Sequence, residues 1–119
     1  MRKKLTPLAL ARAAGRLAFE KNGFDVRILK LKELSSVCDY FVIVSGEADV
    51  QVNAIAEHIY EELQQLGHKP TYREGFREGN WVLLDYFDVI VHVFYEPTRR
   101  FYALEKLWGD APVEELSDG

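Results

Sequence analysis

The chain has 119 residues, of which 48% are hydrophobic and 29% charged. That is one domain's worth of core and excludes a wholly disordered chain. Its single cysteine, Cys38, cannot close an internal disulfide or build a Cys-rich zinc site, and no uncharged apolar run approaches the ~20 residues of a membrane span. The net charge of −4 conceals an asymmetry: residues 1–30 carry eight Lys/Arg against two acids, and the remainder carries seven against seventeen. A basic front and an acidic body suit a partner with a basic surface, or a mixed protein and RNA surface.

Met1-Arg2-Lys3-Lys4 ahead of an apolar stretch imitates a secretory signal, but Arg12 and Arg16 break the run. A helix explains it better. Thr6 serves as N-cap, Pro7 takes the first position, Leu8, Leu10, Ala11, Ala14, Leu17, Ala18 and Phe19 share one face, and Gly23 is the C-terminal cap. Phe24 to Leu29 alternates and predicts a strand with one polar face. Tyr40 to Val44 is a continuous apolar run, the pattern of a central strand buried on both faces.

Asp49 is expected to cap a second helix, with Val52, Ile55, Ile59, Leu63 and Leu66 at helical spacing and Gly67 at its end. Pro70 to Arg73 reads as a short edge strand. Trp81 to Tyr86 and Val89 to Phe94, separated by Phe87-Asp88, predict an antiparallel hairpin. Pro97 opens a third helix with Phe101, Leu104, Leu107 and Trp108 inward, stopped by Gly109. The fold class expected is α/β (α+β): a single domain over residues 1–112, with a mixed sheet of about five strands packed by three main helices. Residues 113–119 are expected to be a disordered acidic tail.

Motifs for chemistry are sparse. Neither Gly-x-Gly-x-x-Gly nor Gly-x-x-x-x-Gly-Lys occurs. Ser45-Gly46 after a strand is better explained by the turn than by a phosphate. His58 and Glu62 lie one helical turn apart, but no third metal ligand is evident. His68 sits at a helix end, where a cation is favourable. His92 lies mid-strand beside Ile90 and Phe94 and reads as a core histidine. Asp85 and Asp88 flank the hairpin turn, where Asp commonly bonds backbone. Cys38 next to Asp39 has no thiolate-stabilising neighbour. No catalytic residue, metal, cofactor or small-molecule substrate is assigned.

The aromatic residues carry more. Trp81, Leu83 and Asp85 point to one side of their strand, and Val82, Leu84 and Tyr86 to the other. Tyr102 and Glu105 leave the inward face of the third helix. Trp and Tyr among acids resemble a protein-docking face. The expected docking residues are Trp81, Leu83, Asp85, Tyr86, Tyr102, Glu105 and Trp108. Trp81 and Tyr102 would be apolar anchors, with Asp85 and Glu105 pairing with Lys or Arg of the partner.

Asp39-Tyr40-Phe41-Val42-Ile43-Val44-Ser45-Gly46, Gln51-Val52-x-Ala54-Ile55-Ala56, Glu74-Gly75, the run from Trp81 to Phe94, and Arg100-Phe101-Tyr102-x-Leu104-Glu105-x-Leu107-Trp108-x-Asp110-Ala111-Pro112 follow in order. Together they resemble the ribosomal silencing factor (Iojap-like) family over nearly the whole chain. Members often carry glycine where Phe87 stands, which argues against a positive-φ turn there while leaving the hairpin intact.

The resemblance implies a non-enzymatic translation factor. It would bind the large ribosomal subunit through its fourteenth ribosomal protein, block joining of the small subunit, and lower translation under nutrient limitation. It also implies a nucleotidyltransferase-like topology. The Gly-Ser and Asp-x-Asp of that chemistry are missing, since Ser45-Gly46 has the reversed order. A bacterial, cytoplasmic protein is expected, with no membrane partner. Two alternatives stay open: a large-subunit assembly adaptor, and a degenerate nucleotidyltransferase-like nucleotide-binding module. Incidental ribosomal RNA contact through the basic front and homodimerisation through an apolar hairpin face also stay open.

Overall fold

The computed structural model describes residues 4–118. Helix α1 (Pro7–Phe19) begins as its sequence predicts: the Thr6 hydroxyl accepts the Ala9 N–H at 3.2 Å, and Pro7 needs no partner for a missing donor. Ala11, Ala14 and Ala18 are fully buried, so the helix lies close on the sheet. After α1 the left-handed residue is Asn22 (φ 65°) rather than Gly23. Gly23 is required for a different reason. A Cβ there would stand 2.8 Å from the Ala18 carbonyl oxygen and 2.9 Å from Val44.

Strand β1 (Phe24–Lys30) carries a bulge near Asp25 (φ 52°) and pairs antiparallel with β2 (Tyr40–Gly46). The side of β1 read as polar buries Leu29, because a second apolar cluster covers that face. β2 is central, as its continuous apolar run predicts, and runs parallel to β5 (Val89–Tyr95).

Helix α2 (Asp49–Gln65) makes the crossover. Its N-cap is Ala48, not Asp49; Asp49 already has helical geometry, and its carboxylate accepts only the adjacent Val50 N–H. Val52, Ile55, Ile59 and Leu63 are buried, whereas Leu66 lies past the helix end and is exposed. Gly67 stops the helix with φ 93°.

β3 (Tyr72–Glu74), β4 (Trp81–Asp85) and β5 (Val89–Tyr95) form an antiparallel meander. The β4–β5 turn does take a positive φ, 76° at Phe87, although the residue is not glycine. The Asp85 carboxylate accepts the Phe87 N–H at 2.8 Å, and the hairpin closes through Tyr86 N–H to the Val89 carbonyl at 2.8 Å. These bonds hold the bulky residue in the left-handed region.

The expected third helix is two short ones. Ala103 adopts φ 48° and separates α3 (Glu96–Tyr102) from α4 (Leu104–Leu107). Phe101 and Leu107, expected to point inward, are exposed, and Arg99 takes the buried position instead.

The sheet has six strands rather than five, in the order β3-β4-β5-β2-β1-β6. The sixth, β6 (Val113–Glu115), comes from the segment expected to be disordered. It pairs antiparallel with β1, and its acids meet the basic front of the chain. Glu114 forms a two-pronged bond with Arg12 at 2.8 and 2.9 Å and lies 3.4 Å from Lys30, while Glu115 lies 3.1 Å from Arg27. Leu116 follows and packs where Gly15 leaves room; a Cβ on Gly15 would stand 2.3 Å from the leucine. Among the described residues, no helix is long and apolar enough to cross a membrane.

Helices α1 and α2 cover one face of the sheet over the main core. The opposite face carries a smaller cluster of Leu29, Leu31, Cys38, Ile43, Phe94 and Ala111. There α3 rests on β5 and β2. Its last residue, Tyr102, reaches Trp81 on β4.

Candidate protein-docking face

The β3–β4 part of the second face, with Tyr102 at its border, contains most of the residues singled out in the sequence. Pairing aligns Trp81 with Phe94, Leu83 with His92, Glu74 with Leu83 and Tyr72 with Asp85, so all of these side chains share one side. Trp81 stacks on Phe94 (centroids 4.8 Å, 30°) and meets Tyr102 of α3 at 4.8 Å. Its indole N–H donates to Nδ1 of His92 at 3.1 Å. Phe41 packs edge-on against His92 at 4.5 Å and against Trp108 at 6.2 Å.

His92 is thus the core histidine its position implied. Burial pushes its pKa down to about 4, so the ring is neutral near pH 7. The Trp81 bond assigns the acceptor role to Nδ1 and places the proton on Nε2, which has no hydrogen-bond partner among the described residues.

Tyr102 is 52% exposed, and its neighbours Phe101 and Leu107 are 80% and 73% exposed. Both of the latter escaped the sequence reading. Adjacent Phe101 and Tyr102 cannot both face inward from one helix, which was the available signal. Trp81, Leu83 and Asp85 are half-buried.

Three expected docking residues are placed differently. Tyr86 is buried on the α1–α2 side, where desolvation raises the pKa of its phenol. Alternation along β4 puts it opposite Trp81. Glu105 is half-buried and bonded to Arg99 at 2.8 Å, with Arg27 at 3.6 Å. Burial pushes its carboxyl up, but the bond and charge of Arg99, helped by Arg27, outweigh this and hold it below its ordinary value. Trp108 is half-buried and packs on the second cluster. Glu105 and Trp108 therefore seat the α3–α4 segment.

Arg99 organises that seat. Its guanidinium donates to the Asp25 carbonyl on β1, to the Ser45 hydroxyl at 2.8 Å on β2 and to Glu105 on α4. Ser45, expected to open a strand-to-helix loop and considered for a phosphate, lies instead within β2, fully buried, and its hydroxyl accepts this bond.

The remaining polar candidates have structural partners. His58 lies 2.9 Å from Glu20, and Nε2 of His68 accepts the Leu5 N–H at 3.1 Å. Burial, and then Lys4, lower the His68 pKa, so it acts as a neutral acceptor rather than the helix-end cation expected. Burial and then Asp39 push the Cys38 thiol up to about 11, which disfavours a thiolate. Among the described residues, no group of three or more His, Cys, Asp or Glu side chains could hold a metal ion.

Residues 4–119 match the family described as ribosomal silencing factor during starvation. The chain is 45% identical over 100 residues to the ribosomal silencing factor RsfS of Bacillus subtilis, covering 84% of this chain and 85% of that protein. The crystal structure of protein CV0518 from Chromobacterium violaceum superposes with a TM-score of 0.85 at 30% identity, covering 88% of each chain. The mouse protein named mitochondrial assembly of ribosomal large subunit protein 1 is 27% identical over 92 residues, covering 75% of this chain and 40% of that protein.

Proposed function

The chain belongs to the ribosomal silencing factor family, and from that premise we propose that it is a non-enzymatic translational repressor. It docks on the large ribosomal subunit through that subunit's fourteenth protein. Bound there, it blocks joining of the small subunit and lowers translation under nutrient limitation.

The observation that carries this reading is the half-buried β4 part of the second sheet face, where Trp81 meets the exposed ring of Tyr102 from α3. Aromatic anchors beside unpaired acids are what a docking surface for a basic protein needs. In this reading Trp81 and Tyr102 are the anchors, Leu83 and Asp85 complete the contact, Phe101 and Leu107 widen it, and Glu105 and Trp108 hold α3–α4 in place.

A domain of this size can present about 800 Å², the share of one partner in a standard specific interface. Repression of this kind needs occupancy and no chemistry. Its extent follows from factor concentration relative to Kd and from competition with the small subunit.

The test is sedimentation of purified large and small subunits through sucrose with and without the protein. Co-sedimentation with the large subunit and loss of joined ribosomes is the expected result. Failure to co-sediment at modest salt, with folded protein, overturns the proposal. The name of the mouse relative favours a second reading, an adaptor for large-subunit assembly. Co-sedimentation with joining left intact is the result that selects it.

A further inference from the structure

Beside Trp81 lies a hollow of about 460 Å³, lined by Glu74, Gly75, Glu78, Asn80, Trp81 and Leu83. It falls within the size range of ligand pockets. Docking through the aromatic anchors leaves it unexplained, yet the chain is shaped to form it. Gly75 has φ 94°, and a Cβ there would stand 1.9 Å from the Trp81 carbonyl oxygen, so only glycine allows the loop to cross the start of β4. The Gly79 N–H then donates to the Gly75 carbonyl at 3.0 Å and folds residues 75–79 back on themselves. This places Glu78 at the hollow together with Glu74, whose side chain shares a sheet face with Leu83.

The lining has one chemical character. Trp81 and Leu83 supply apolar walls. Glu74 and Glu78 supply two carboxylates, neither of which enters an ion pair among the described residues. Glu74 has only the Tyr72 hydroxyl as a side-chain partner. Arg77, the loop's own cation, does not line the hollow. An indole next to carboxylates that have no cationic partner among the described residues is complementary to a guanidinium, which packs against the ring while its fork of donors reaches the acids. A nucleic-acid phosphate would be repelled.

We propose that this hollow is a specific socket for an arginine side chain presented by the docked protein partner. The source of the arginine rests on the ribosome-docking reading above; the chemistry of the socket does not. The Glu74-Gly75 motif then has a physical reason: Glu74 forms one wall of the socket, and Gly75 lets the loop pass over Trp81.

The experiment has two arms on the full chain. In the first, N-acetyl-arginine methylamide and its neutral citrulline counterpart are titrated while the Trp81 indole resonance is followed, assigned with the help of Trp108→Phe. A saturable shift with arginine alone, weakened roughly fivefold or more in the Glu74→Gln/Glu78→Gln double variant, is expected. An equal response to citrulline, or no effect of the double variant, overturns the socket. In the second arm, the double variant should bind large subunits roughly tenfold more weakly than the unmodified chain, with a shallower salt dependence. Unmodified protein that binds large subunits, with a double variant that binds as well, overturns the socket and leaves docking intact. An arginine-selective shift in a protein that ignores large subunits overturns docking and leaves the socket's chemistry standing.

Discussion

The two edges of the sheet treat the same side-chain types in opposite ways. At the β6 edge, acids are used up inside the molecule: Glu114 and Glu115 meet Arg12, Lys30 and Arg27. Leu116 packs beside α1 at Gly15. At the β3 edge, Glu74, Glu78 and Asp85 form no ion pair among the described residues, and Trp81 and Leu83 stay half-buried. The charge asymmetry of the sequence is therefore not simply a surface offered to a partner. Part of it closes the fold. Among the acids left without an ion pair among the described residues, Glu74 and Glu78 line the hollow beside Trp81.

The largest expected effect comes from the residue that ties the α3–α4 segment to β1 and β2. Arg99→Met strands the buried Ser45 hydroxyl and leaves the half-buried Glu105 with Arg27 alone, and should cost about 3 kcal/mol in urea unfolding. It should also loosen Tyr102 and weaken subunit binding. Unchanged binding in the folded variant would show that the docking face does not depend on that seat.

Acid should weaken the same half of the molecule. The pKa of His92 is lower folded (about 4) than unfolded (about 6.5), so the unfolded chain takes up the proton first. Its contribution is fully present above the unfolded value and falls by about 1.4 kcal/mol per pH unit on descending from about 6.5 to about 4. Urea titrations between pH 7 and 4.5 should show this loss. A His92→Gln variant should have a flatter profile across that window.

Trp81→Ala should cost about 2 kcal/mol or more in large-subunit affinity if Trp81 is an anchor. Because it also removes the bond to His92, Tyr102→Ala is the cleaner partner test: that ring is more than half exposed, so binding should fall while the unfolding midpoint hardly moves.

At the closed edge the pattern should invert. Glu114→Gln should lower stability by up to about 1 kcal/mol at low salt and leave subunit binding unchanged. The Arg12 hydrogen bond holds the Glu114 carboxyl below its ordinary value. Its contribution is therefore present above the unfolded carboxyl pKa and is lost as pH falls through the folded one. The variant should accordingly be less sensitive to acid, as read by thermal melts at pH 7 and pH 3.

The smallest change expected is a gain. Phe87→Gly removes a left-handed non-glycine residue whose ring is 73% exposed, and should stabilise the hairpin by up to about 1 kcal/mol. Chemical denaturation reads it directly, and a loss of stability would show that the exposed ring packs in solution.

Much of the fold was legible because periodicity and capping are local. Thr6-Pro7 announced α1, the uninterrupted run at Tyr40 to Val44 announced a strand covered on both faces, and two alternating runs around Phe87-Asp88 announced a hairpin. Several misreadings turned on contacts between elements rather than on local pattern. Residues 113–115 look like a solvated tail until β1 offers a free edge and Arg12 and Lys30 offer charges. Phe101 and Leu107 look like core until Ala103 breaks the helix and Arg99 occupies the inward place. Glu105 looks free until Arg99 reaches it.

The proposed docking face divides in the same way. Strand alternation alone put Trp81, Leu83 and Asp85 on one side, because side chains in a strand must point to opposite faces in turn. It could equally have shown that Tyr86 belongs to the other. What alternation cannot say is which side stays uncovered. That was settled by where α3 comes to rest, mainly on β5 and β2 with Tyr102 against Trp81, and α3 rests there because the buried Arg99 finds its partners on β1, β2 and α4, which no local pattern encodes.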